Sequence, residues 1–577
     1  MDGAFSTLHP DVAAWCDARL GTATPPQAQA LPLAAAARHT LICSPTGTGK
    51  TLAAFLPVIS RLADLRDADE LLARTYCLYV SPLRALGYDV EHNLRRPLRE
   101  MGILERPNTE RAKRRRGRIR ETFVRTGVRT GDTPIEERRL MMSRPPHVLL
   151  TTPESLALML AMESYRSKLT HVETVIVDEV HALAGNKRGA HLALLLESLT
   201  EVTRAPLRRV GLSATVAPLE RVAAYLAGTD RDCALVDCRG LRELRLDIDA
   251  PFAGAMAPLA QCARAAYALT EDVRSTLVFT NVRSQAERIA HEMEELSLTL
   301  RRAQGDNADA DVQGDNADAD ARGDRAIAVL EPAPRSETAT RDRRIGVHHS
   351  ALARNVRHRT EAELRAGKLR TVVCSTSLEL GVDIGYIDRV IVLGGARGMT
   401  PTLQRVGRAG HRPGAVASGV VLAQDRDDIV EAAATRRCIR DGVIEEIVVP
   451  DAPLDVVAQW LVGLCAPDER VAVADALALA RRAYPYRELS EDDLRACVAY
   501  LSGGGVGPEE AHVRRIGSDG EAAYGLGREP SSAYFENVGT IPDESTVPVA
   551  GAGGHGIGRL DEGFAAGLGV GDVFLLE

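Results

Sequence analysis

Aromatic side chains are scarce in this sequence of 577 residues, where phenylalanine, tyrosine and tryptophan together make up 4%. No apolar run approaches the roughly 18 residues that cross a membrane, so we expect no membrane partner. The N-terminus has no basic segment followed by an apolar stretch, and we expect no signal peptide. The ten cysteines include no Cys-x-x-Cys pair. This argues against a zinc or iron–sulfur site and fits a reducing compartment, so a cytoplasmic location is expected.

A strong charge bias is also missing. Lysine and arginine number 71 against 79 aspartates and glutamates, a net charge of −8. Charge alone therefore does not indicate a nucleic acid partner, and any such contact has to come from local basic patches. The run Arg111–Arg125 is one candidate, with two interpretations: a solvated loop or a contact with a phosphate backbone. Length indicates three or four domains, and an apolar content of 45% allows large cores.

One stretch carries a phosphate-binding pattern, since Ser44–Thr51 reads S-P-T-G-T-G-K-T. It follows the apolar run Leu41–Cys43 and precedes Leu52–Ile59, which starts a predicted helix, so the order is strand, glycine loop, helix. Successive backbone N–H groups and the helix N-terminus attract phosphate oxygens in such a loop, and glycines let the backbone close around them. The strict pattern has glycine at the position of Ser44, so the match is one residue short.

Apolar runs downstream indicate a parallel sheet. Near-continuous apolar strands between helices are typical of a sheet covered on both faces, with ligands at the carboxyl ends of the strands. The predicted strands are Thr75–Val80, His147–Leu150, Val172–Val177 and Arg209–Leu212. The polar segments behind predicted strands are S-P-L-R-A-L (Ser81–Leu86), T-G-D-T at Gly131, T-T-P-E-S (Thr151–Ser155), D-E-V-H (Asp178–His181) and S-A-T (Ser213–Thr215).

The D-E-V-H segment follows the apolar V-I-V, which places Asp178 at the end of a buried strand. A buried aspartate beside a phosphate loop can hold Mg²⁺, and Glu179 one residue on can orient or deprotonate an attacking water. The sequence therefore predicts a nucleotide-hydrolysing site at this edge.

A second series of strands follows a looser segment at 226–270. Its predicted strands are Ser275–Asn281, Arg344–Val347, Leu369–Cys374, Arg389–Leu393 and Gly419–Leu422. This series has no phosphate loop of its own. The segment Q-R-V-G-R-A-G-H-R (Gln404–Arg412) opens a helix after Pro401, and arginines from a second domain can face a γ-phosphate held by the first.

Residues 303–340 interrupt the second series. The motif G-D-N-A-D-A-D occurs at Gly305–Asp311 and again at Gly314–Asp320, with almost no large apolar residue. Such a segment cannot offset its ordering entropy, so we predict a disordered insertion.

Beyond residue 450 a predicted helix carries Trp460, which we interpret as a core residue rather than a base-stacking wedge. The chain then ends within a predicted strand, so we expect an incomplete last domain.

The motifs in this order resemble those of superfamily 2 helicases of the DEAD/DEAH type across roughly residues 20–425. Within them, D-E-V-H-A-L, H-H-S-A-L, G-V-D-I-G-x-I-D, G-R-A-G-H-R-P-G and N-V-G-T-I-P-D resemble the large helicase-related (Lhr) family. The resemblance implies an α/β fold: two RecA-like parallel-sheet domains in tandem, then a winged-helix-like domain and a partial β-barrel. The implied domains are 1–228, 229–445 (with the insertion 303–340), 446–515 and 516–577.

The resemblance also implies an ATP-dependent helicase that uses Mg²⁺ and moves 3′→5′ on single-stranded DNA. It would unwind DNA duplexes or RNA–DNA hybrids in DNA repair, as a monomer in the bacterial cytoplasm or nucleoid. Site residues for ATP would be Gln27 (adenine), Thr46, Gly47, Thr48, Gly49 and Lys50 (phosphates), Thr51 and Asp178 (Mg²⁺), Glu179 (base), and Gly381, Asp383, Gln404, Arg408 and Arg412 from the second domain. Nucleic-acid contacts would be Pro82, Arg84, Gly131, Thr152, Pro153, Asn281, Ser350 and Thr376, with Ser213 and Thr215 coupling hydrolysis to motion.

One position departs from the general pattern of the family. His411 occupies the place of the last motif arginine, and either His411, Arg412 or neither replaces it.

Two other functions stay open at this point. One is a nucleic-acid-stimulated ATPase that remodels protein–nucleic-acid complexes or acts on RNA without processive unwinding. The other is a catalytically silent binding platform, against which the intact Lys50, Asp178, Glu179 and Arg408 argue.

Overall fold

The chain forms two compact units: residues Met1–Leu241 with Ile444–Glu577, and residues Arg242–Val443. None of the helices described combines the length and apolarity that crossing a bilayer requires. The computed structural model describes residues 3–45, 47–82, 94–105, 114–115, 118–119, 121–241, 244–251, 259–310, 344–349, 352, 354–379, 386–410, 416–466, 469–504, 515–527, 534–535, 538–539, 546–550 and 556–561.

The first unit begins with a seven-stranded parallel sheet in the order β5-β6-β2-β7-β8-β1-β9. Its elements are α1 (Pro10–Arg19), α2 (Pro25–Ala35), β1 (His39–Cys43), α3 (Lys50–Asp67), β2 (Cys77–Val80), α4 (94–100), β3 (Arg114–Arg115), β4 (Arg118–Ile119), β5 (Thr126–Arg129), α5 (Ile135–Ser143), β6 (Val148–Thr151), α6 (Pro153–Ala161), α7 (Glu163–Leu169), β7 (Thr174–Val177), α8 (Val180–Ala184), α9 (Lys187–Val202), β8 (Arg208–Ser213), α10 (Leu219–Ala227) and β9 (Cys233–Asp237).

Both faces of this sheet are covered, as the continuous apolar runs predict. On β2, Leu78 and Val80 join the apolar cluster with α6 and α9, whereas Cys77 and Tyr79 join the cluster with α3. Successive side chains of a strand point to opposite faces, so every residue of such a strand has to be compatible with a core.

The second unit is a six-stranded parallel sheet in the order β10-β15-β14-β11-β13-β12. All five predicted strands of this series are confirmed. The elements are β10 (Leu244–Asp249), α11 (Leu259–Ala268), β11 (Thr276–Phe279), α12 (Arg283–Ala310), β12 (Arg344–His348), α13 (Arg354–Arg365), β13 (Leu369–Cys374), β14 (Arg389–Leu393), α14 (Met399–Val406), β15 (Ala417–Leu422) and α15 (Arg426–Asp441).

Two expectations need correction. The looser segment 226–270 contains β9, β10 and α11, so the first sheet extends past residue 228. Both strands are edge strands whose solvent-facing positions break the apolar run, which hid them. The expected start of the insertion at residue 303 is too early, because α12 continues to Ala310. The helix-favouring L-T-L-R-R-A-Q carries the helix past residue 303. The rest of that segment lies outside the described residues.

A winged helix follows within the first unit. Its elements are α16 (Leu454–Leu464), β16 (Arg470–Ala472), α17 (Val473–Arg481), α18 (Glu491–Leu501), β17 (Ile516–Ser518) and β18 (Ala522–Gly525). The three strands form an antiparallel sheet in the order β16-β18-β17. Farther on, β19 (Thr546–Ala550) pairs with β20 (Gly556–Asp561). This pair alone does not make a barrel, so the partial β-barrel stays a prediction.

The winged helix shares a core with the first sheet. Trp460 of α16 is 2% exposed, packs with residues of α6 and α9, and donates from Nε1 to the Ser198 hydroxyl at 3.0 Å. The interpretation of Trp460 as a core residue is confirmed. Other apolar residues of α16, α17 and α18 lie in the same buried cluster as those of α6 and α9. Each Å² of apolar surface buried there stabilises the unit by about 25 cal/mol.

A buried ion cluster lies at the same joint. The carboxylate of Glu197 on α9 has no solvent exposure and accepts from three guanidinium groups. Arg209 lies 2.8 Å from Oε1, Arg231 donates to Oε2 at 2.8 Å, and Arg482, which directly follows α17, donates to Oε2 at 3.0 Å. The first two belong to the sheet domain and the third to the winged helix, so one carboxylate holds both together.

The buried His191 on α9 makes the stability of this unit depend on pH. It is 2% exposed, and burial lowers the pKa of its imidazole to about 4. In the unfolded chain this imidazole takes up a proton near pH 6.5, whereas in the folded chain it does so only near pH 4. The contribution of His191 to the free energy of unfolding is therefore complete above pH 6.5 and is lost as the pH falls toward 4. We expect protonation of this histidine alone to lower the free energy of unfolding by about 2 kcal/mol between pH 7.5 and pH 5.

The measurement is urea unfolding followed by tryptophan fluorescence at both pH values. The two tryptophans, Trp15 and Trp460, lie in the first unit, so the signal reports on that unit alone. The variant His191→Gln should lose about 2 kcal/mol less stability over this pH range than the wild type. An equal loss in both proteins would contradict the assignment.

Candidate functional site

The carboxyl ends of the parallel strands bring the predicted motifs of the first unit to one edge. Cys43, before the glycine loop, pairs with Ser213, and Val177, before D-E-V-H, pairs with Gly211 on the same strand as Ser213. On the other side Val177 pairs with Val80, which pairs with Thr151. Neighbouring strands lie about 4.8 Å apart, so the motifs stand side by side in strand order.

The glycine loop enters α3 as the pattern predicts. Gly47 and Gly49 have φ of +79° and +85°, a region that favours glycine. A Cβ on Gly49 would also lie 2.7 Å from the Gln27 amide nitrogen, so a side chain at this position would require Gln27 to move. Lys50 is 6% exposed, and its ammonium lies 3.5 Å from the Ser44 carbonyl oxygen, which holds it across the loop.

The remaining loop residues are placed as follows. The hydroxyl of Thr48 donates to the Pro45 carbonyl at 2.8 Å, and Thr51 is half-buried in the first turn of α3. Gln27 is 2% exposed, and its Oε1 accepts from the Thr24 backbone N–H at 3.0 Å. Thr46 lies outside the described residues. Backbone N–H groups, a lysine and a hydroxyl at a helix N-terminus suit the phosphates of a nucleotide.

Asp178 and Glu179 are both buried at the end of β7. Oδ1 of Asp178 accepts from the Glu179 backbone N–H at 2.9 Å, and Oδ2 accepts from the Tyr79 hydroxyl of β2. Burial and the neighbouring Glu179 raise the pKa of Asp178 to about 6, whereas Lys50 lowers it. Burial and Asp178 hold the pKa of Tyr79 well above its usual value, so the hydroxyl keeps the proton it donates.

His181 connects this pair to the S-A-T segment. Its Nδ1 accepts from the Ala214 backbone N–H at 3.2 Å and lies 3.2 Å from the Ser213 hydroxyl. Its Nε2 lies 3.3 Å from the Glu179 carboxylate. Burial lowers the pKa of His181, so the ring is neutral with its proton on Nε2, facing Glu179. Thr215, two residues after Ser213, is half-buried.

The predicted nucleic-acid contacts of the first unit lie along the other half of the same edge. Pro82 follows β2 and is buried, and Thr152 caps α6 with its hydroxyl 3.4 Å from the Ser155 N–H. Pro153 is the first residue of α6. Gly131 is exposed behind β5, and its carbonyl accepts from Arg138 at 2.7 Å. Arg84 and residues 111–113, 116–117 and 120 of the basic run lie outside the described residues.

In the second unit the described motif residues surround one arginine that the sequence interpretation did not single out. Arg405 is 3% exposed and donates to the Glu379 carboxylate at 3.2 Å and to the Asn281 side-chain oxygen at 3.0 Å. Arg408 is also buried and donates to the Glu379 backbone carbonyl at 2.9 Å. Asn281, predicted as a nucleic-acid contact, therefore orients Arg405.

The other predicted residues of this unit fall into two groups. Gln404 is half-buried on α14, and Thr376 is exposed at the end of β13. Predicted residues outside the described part of the chain are Ser350, Gly381, Asp383, His411 and Arg412.

Three family models match consecutive parts of the chain. The DEAD/DEAH box helicase model matches residues 24–222, the helicase conserved C-terminal domain model residues 321–413, and the large helicase-related protein winged helix model residues 437–577.

Relatives match the chain as a whole. ATP-dependent helicase Lhr-Core of Methanothermobacter thermautotrophicus is 38% identical over 583 residues, covering 99% of this chain and 62% of that protein. The Lhr helicase/probable uracil glycosylase of Mycolicibacterium smegmatis is 37% identical over 588 residues, covering 100% of this chain and 37% of that protein. The solved structure of Mycobacterium smegmatis helicase Lhr bound to ssDNA and AMP-PNP is similar with a TM-score of 0.76 and 34% identity, covering 94% of this chain and 63% of that one.

The chain belongs to the Lhr family of superfamily 2 helicases. It spans about 62% of the length of the archaeal Lhr-Core relative. The tandem parallel-sheet domains and the winged helix expected from the resemblance are confirmed.

Three contacts of this Lhr-family chain were missed from the sequence. Tyr79 lies in the apolar run C-L-Y-V, which predicts a strand but no contact for the hydroxyl. His181 is the last residue of D-E-V-H, and the segment itself does not predict that this ring lies between Glu179 and Ser213. Arg405 stands between Gln404 and Arg408, and its partner Glu379 is 26 residues away. Only their common burial with an oppositely charged or polar partner distinguishes them.

Proposed function

We propose that this chain is an ATP-dependent motor that moves 3′→5′ along single-stranded DNA and unwinds DNA duplexes or RNA–DNA hybrids. The observation that carries the proposal is the edge of the first sheet. The glycine loop, Asp178 and Ser213 occupy neighbouring strands on one half, and Pro82, Thr152 and Gly131 follow strands on the other. A change at the nucleotide end can therefore reach the nucleic-acid end through adjacent strands of one sheet.

The residues of the loop fit ATP, and the buried carboxylate fits Mg²⁺. The loop backbone and Lys50 would hold the phosphates, Thr51 and Asp178 would hold Mg²⁺, and Gln27 would lie at the adenine. Magnesium supplies charge neutralisation at the β- and γ-phosphates when it is bound. Glu179 would orient the attacking water and accept its proton, and His181 would convey the state of Glu179 to Ser213.

The second domain would contribute Gln404 and Arg408, together with Gly381, Asp383 and Arg412. An arginine at a developing phosphate charge raises turnover by about 10³–10⁵-fold in related phosphoryl-transfer sites.

The proposed DNA contacts of both domains are made to the phosphate backbone, which is the same for every base sequence. DNA binding should therefore be sequence-tolerant and salt-sensitive. The family resemblance supports a role in DNA repair and a monomeric, cytoplasmic protein.

The experiment is strand displacement on forked DNA with either a 3′ or a 5′ single-stranded tail. We expect unwinding from the 3′ tail and little from the 5′ tail, since a motor with fixed direction reaches the junction from one side only. The control is Lys50→Met, which should unwind neither substrate because it lacks the ammonium that faces the phosphates. A matched RNA–DNA hybrid fork tests the second substrate.

Two outcomes would contradict the proposal in different ways. Equal unwinding from both tails would refute the direction. ATP hydrolysis stimulated by single-stranded DNA without any strand displacement would favour the remodelling ATPase. A chain ending near residue 445 is not a clean test of the downstream domains, because it would uncover the partners of Trp460 on α6 and α9.

A further inference from the structure

Tyr79 has a buried hydroxyl in an otherwise apolar setting. Its side chain has no solvent exposure and stacks on Phe55 of α3 with ring centroids 5.3 Å apart. A phenylalanine at this position would keep the same apolar contacts. Burying a hydroxyl costs about 1–3 kcal/mol unless it finds a partner, so packing does not explain why a tyrosine stands here.

The partner of this hydroxyl is the Asp178 carboxylate. The two strands that carry them are neighbours, with Val80 paired to Val177, and the Asp178 N–H continues the ladder to the Val80 carbonyl at 2.8 Å. The Tyr79 hydroxyl donates to Oδ2, while the Glu179 N–H donates to Oδ1. The carboxylate is thus held at both oxygens, and its plane is fixed relative to the glycine loop.

We propose that Tyr79 is a positioning residue for the magnesium ion that accompanies ATP, acting by fixing the orientation of the Asp178 carboxylate. Each carboxylate oxygen keeps a second lone pair, which remains for the ion or for a water bound to it. Without the hydroxyl, Oδ2 loses its donor and the carboxylate is held at Oδ1 alone. The inference rests on the proposed function, since it assumes that Asp178 serves Mg²⁺.

Groups that orient a metal ligand typically contribute 10–100-fold to metal affinity. We therefore expect Tyr79→Phe to raise the Mg²⁺ concentration needed for half-maximal tightening of nucleotide binding by about 10–100-fold. Turnover at saturating Mg²⁺ should recover to near the wild-type value, because Glu179 and Lys50 are untouched.

The test measures binding of a fluorescent, non-hydrolysable ATP analogue at increasing Mg²⁺ and, separately, in EDTA. Affinity in EDTA should be the same for wild type and Tyr79→Phe, and only the Mg²⁺ midpoint should shift. The matched control is Tyr225→Phe, which removes another fully buried hydroxyl of the same unit, bonded to the Gly189 carbonyl at 3.0 Å. This control should keep the wild-type midpoint.

Different failures identify different errors. An unchanged Mg²⁺ midpoint in Tyr79→Phe, with a normal wild type, would overturn the role of Tyr79 and leave the proposed function standing. Equal weakening with and without Mg²⁺ would show that the substitution disturbs α3 and the loop, and would also overturn it. A wild type whose analogue binding ignores Mg²⁺ would overturn the magnesium assignment of Asp178, and the inference with it.

Discussion

Replacing Glu179 by glutamine is expected to lower ATP turnover by about 10²–10⁴-fold while ATP still binds. Glutamine keeps the volume of the side chain, and the Glu179 backbone N–H that bonds Asp178 is unaffected. The amide cannot accept a proton from water, which is the role proposed for this carboxylate. The residue is buried with φ of +48°, so its side chain is held in place by the turn into α8.

Phosphate release under single-stranded DNA stimulation measures the loss, and equilibrium binding of ATP measures what is kept. Glu173→Gln is the matched control, because Glu173 directly precedes β7 and Glu179 follows it, at opposite ends of the same strand. That control should hydrolyse ATP at the wild-type rate. Near-normal turnover in Glu179→Gln would remove Glu179 from the role of base.

Replacing Glu197 by alanine is expected to destabilise the first unit by about 3–5 kcal/mol, because it leaves buried guanidinium groups without their counter-charge. Arg209 would be affected most, since it is 2% exposed and cannot turn toward water. Arg482 would lose its ion pair with Glu197 and keep the one with Glu201, whose side chain is 57% exposed. The winged helix and the sheet domain would then be joined by apolar contacts and by partly exposed ion pairs such as Arg166–Glu469 and Lys187–Asp455.

Urea unfolding followed by tryptophan fluorescence measures this change in the first unit. Glu201→Ala is the matched control, because Glu201 lies one turn away on α9, pairs with the same Arg482 and is half-exposed. Exposed ion pairs contribute about 0–1 kcal/mol, so this control should stay close to wild type. A similar small effect for both variants would show that the cluster does not hold the joint.

The central strands and the nucleotide motifs are predictable because their signals are local. A continuous apolar run predicts each buried strand, and the residues behind it then have to lie at the shared edge, as Asp178 and Ser213 do. Edge strand β9 was not predictable in this way. Its residues alternate between buried and exposed, with Leu235 38% exposed, so no continuous apolar run marks it.

Contacts between distant parts of the chain were beyond the local patterns. Tyr79 and Asp178 are 99 residues apart, and only the sheet order brings β2 beside β7. Trp460 and Ser198 are 262 residues apart, and the apolar stripe of α16 does not reveal which surface it covers. The partner of an apolar face depends on the tertiary fold, so the shared core of the winged helix and the first sheet could only come from the structure.

Because the first unit is built from both ends of the chain, its folding during synthesis has a built-in delay. The apolar surface of α6 and α9 is made early, but α16–α18, which cover it, follow only after the whole second unit. About 270 residues separate the end of α10 from the end of α18. At roughly 5–20 residues per second, this surface stays uncovered for about 14–55 s on the ribosome. Ribosome-bound chains that contain α6 and α9 but not yet α16–α18 are therefore expected to need a chaperone more than chains that contain all of these helices.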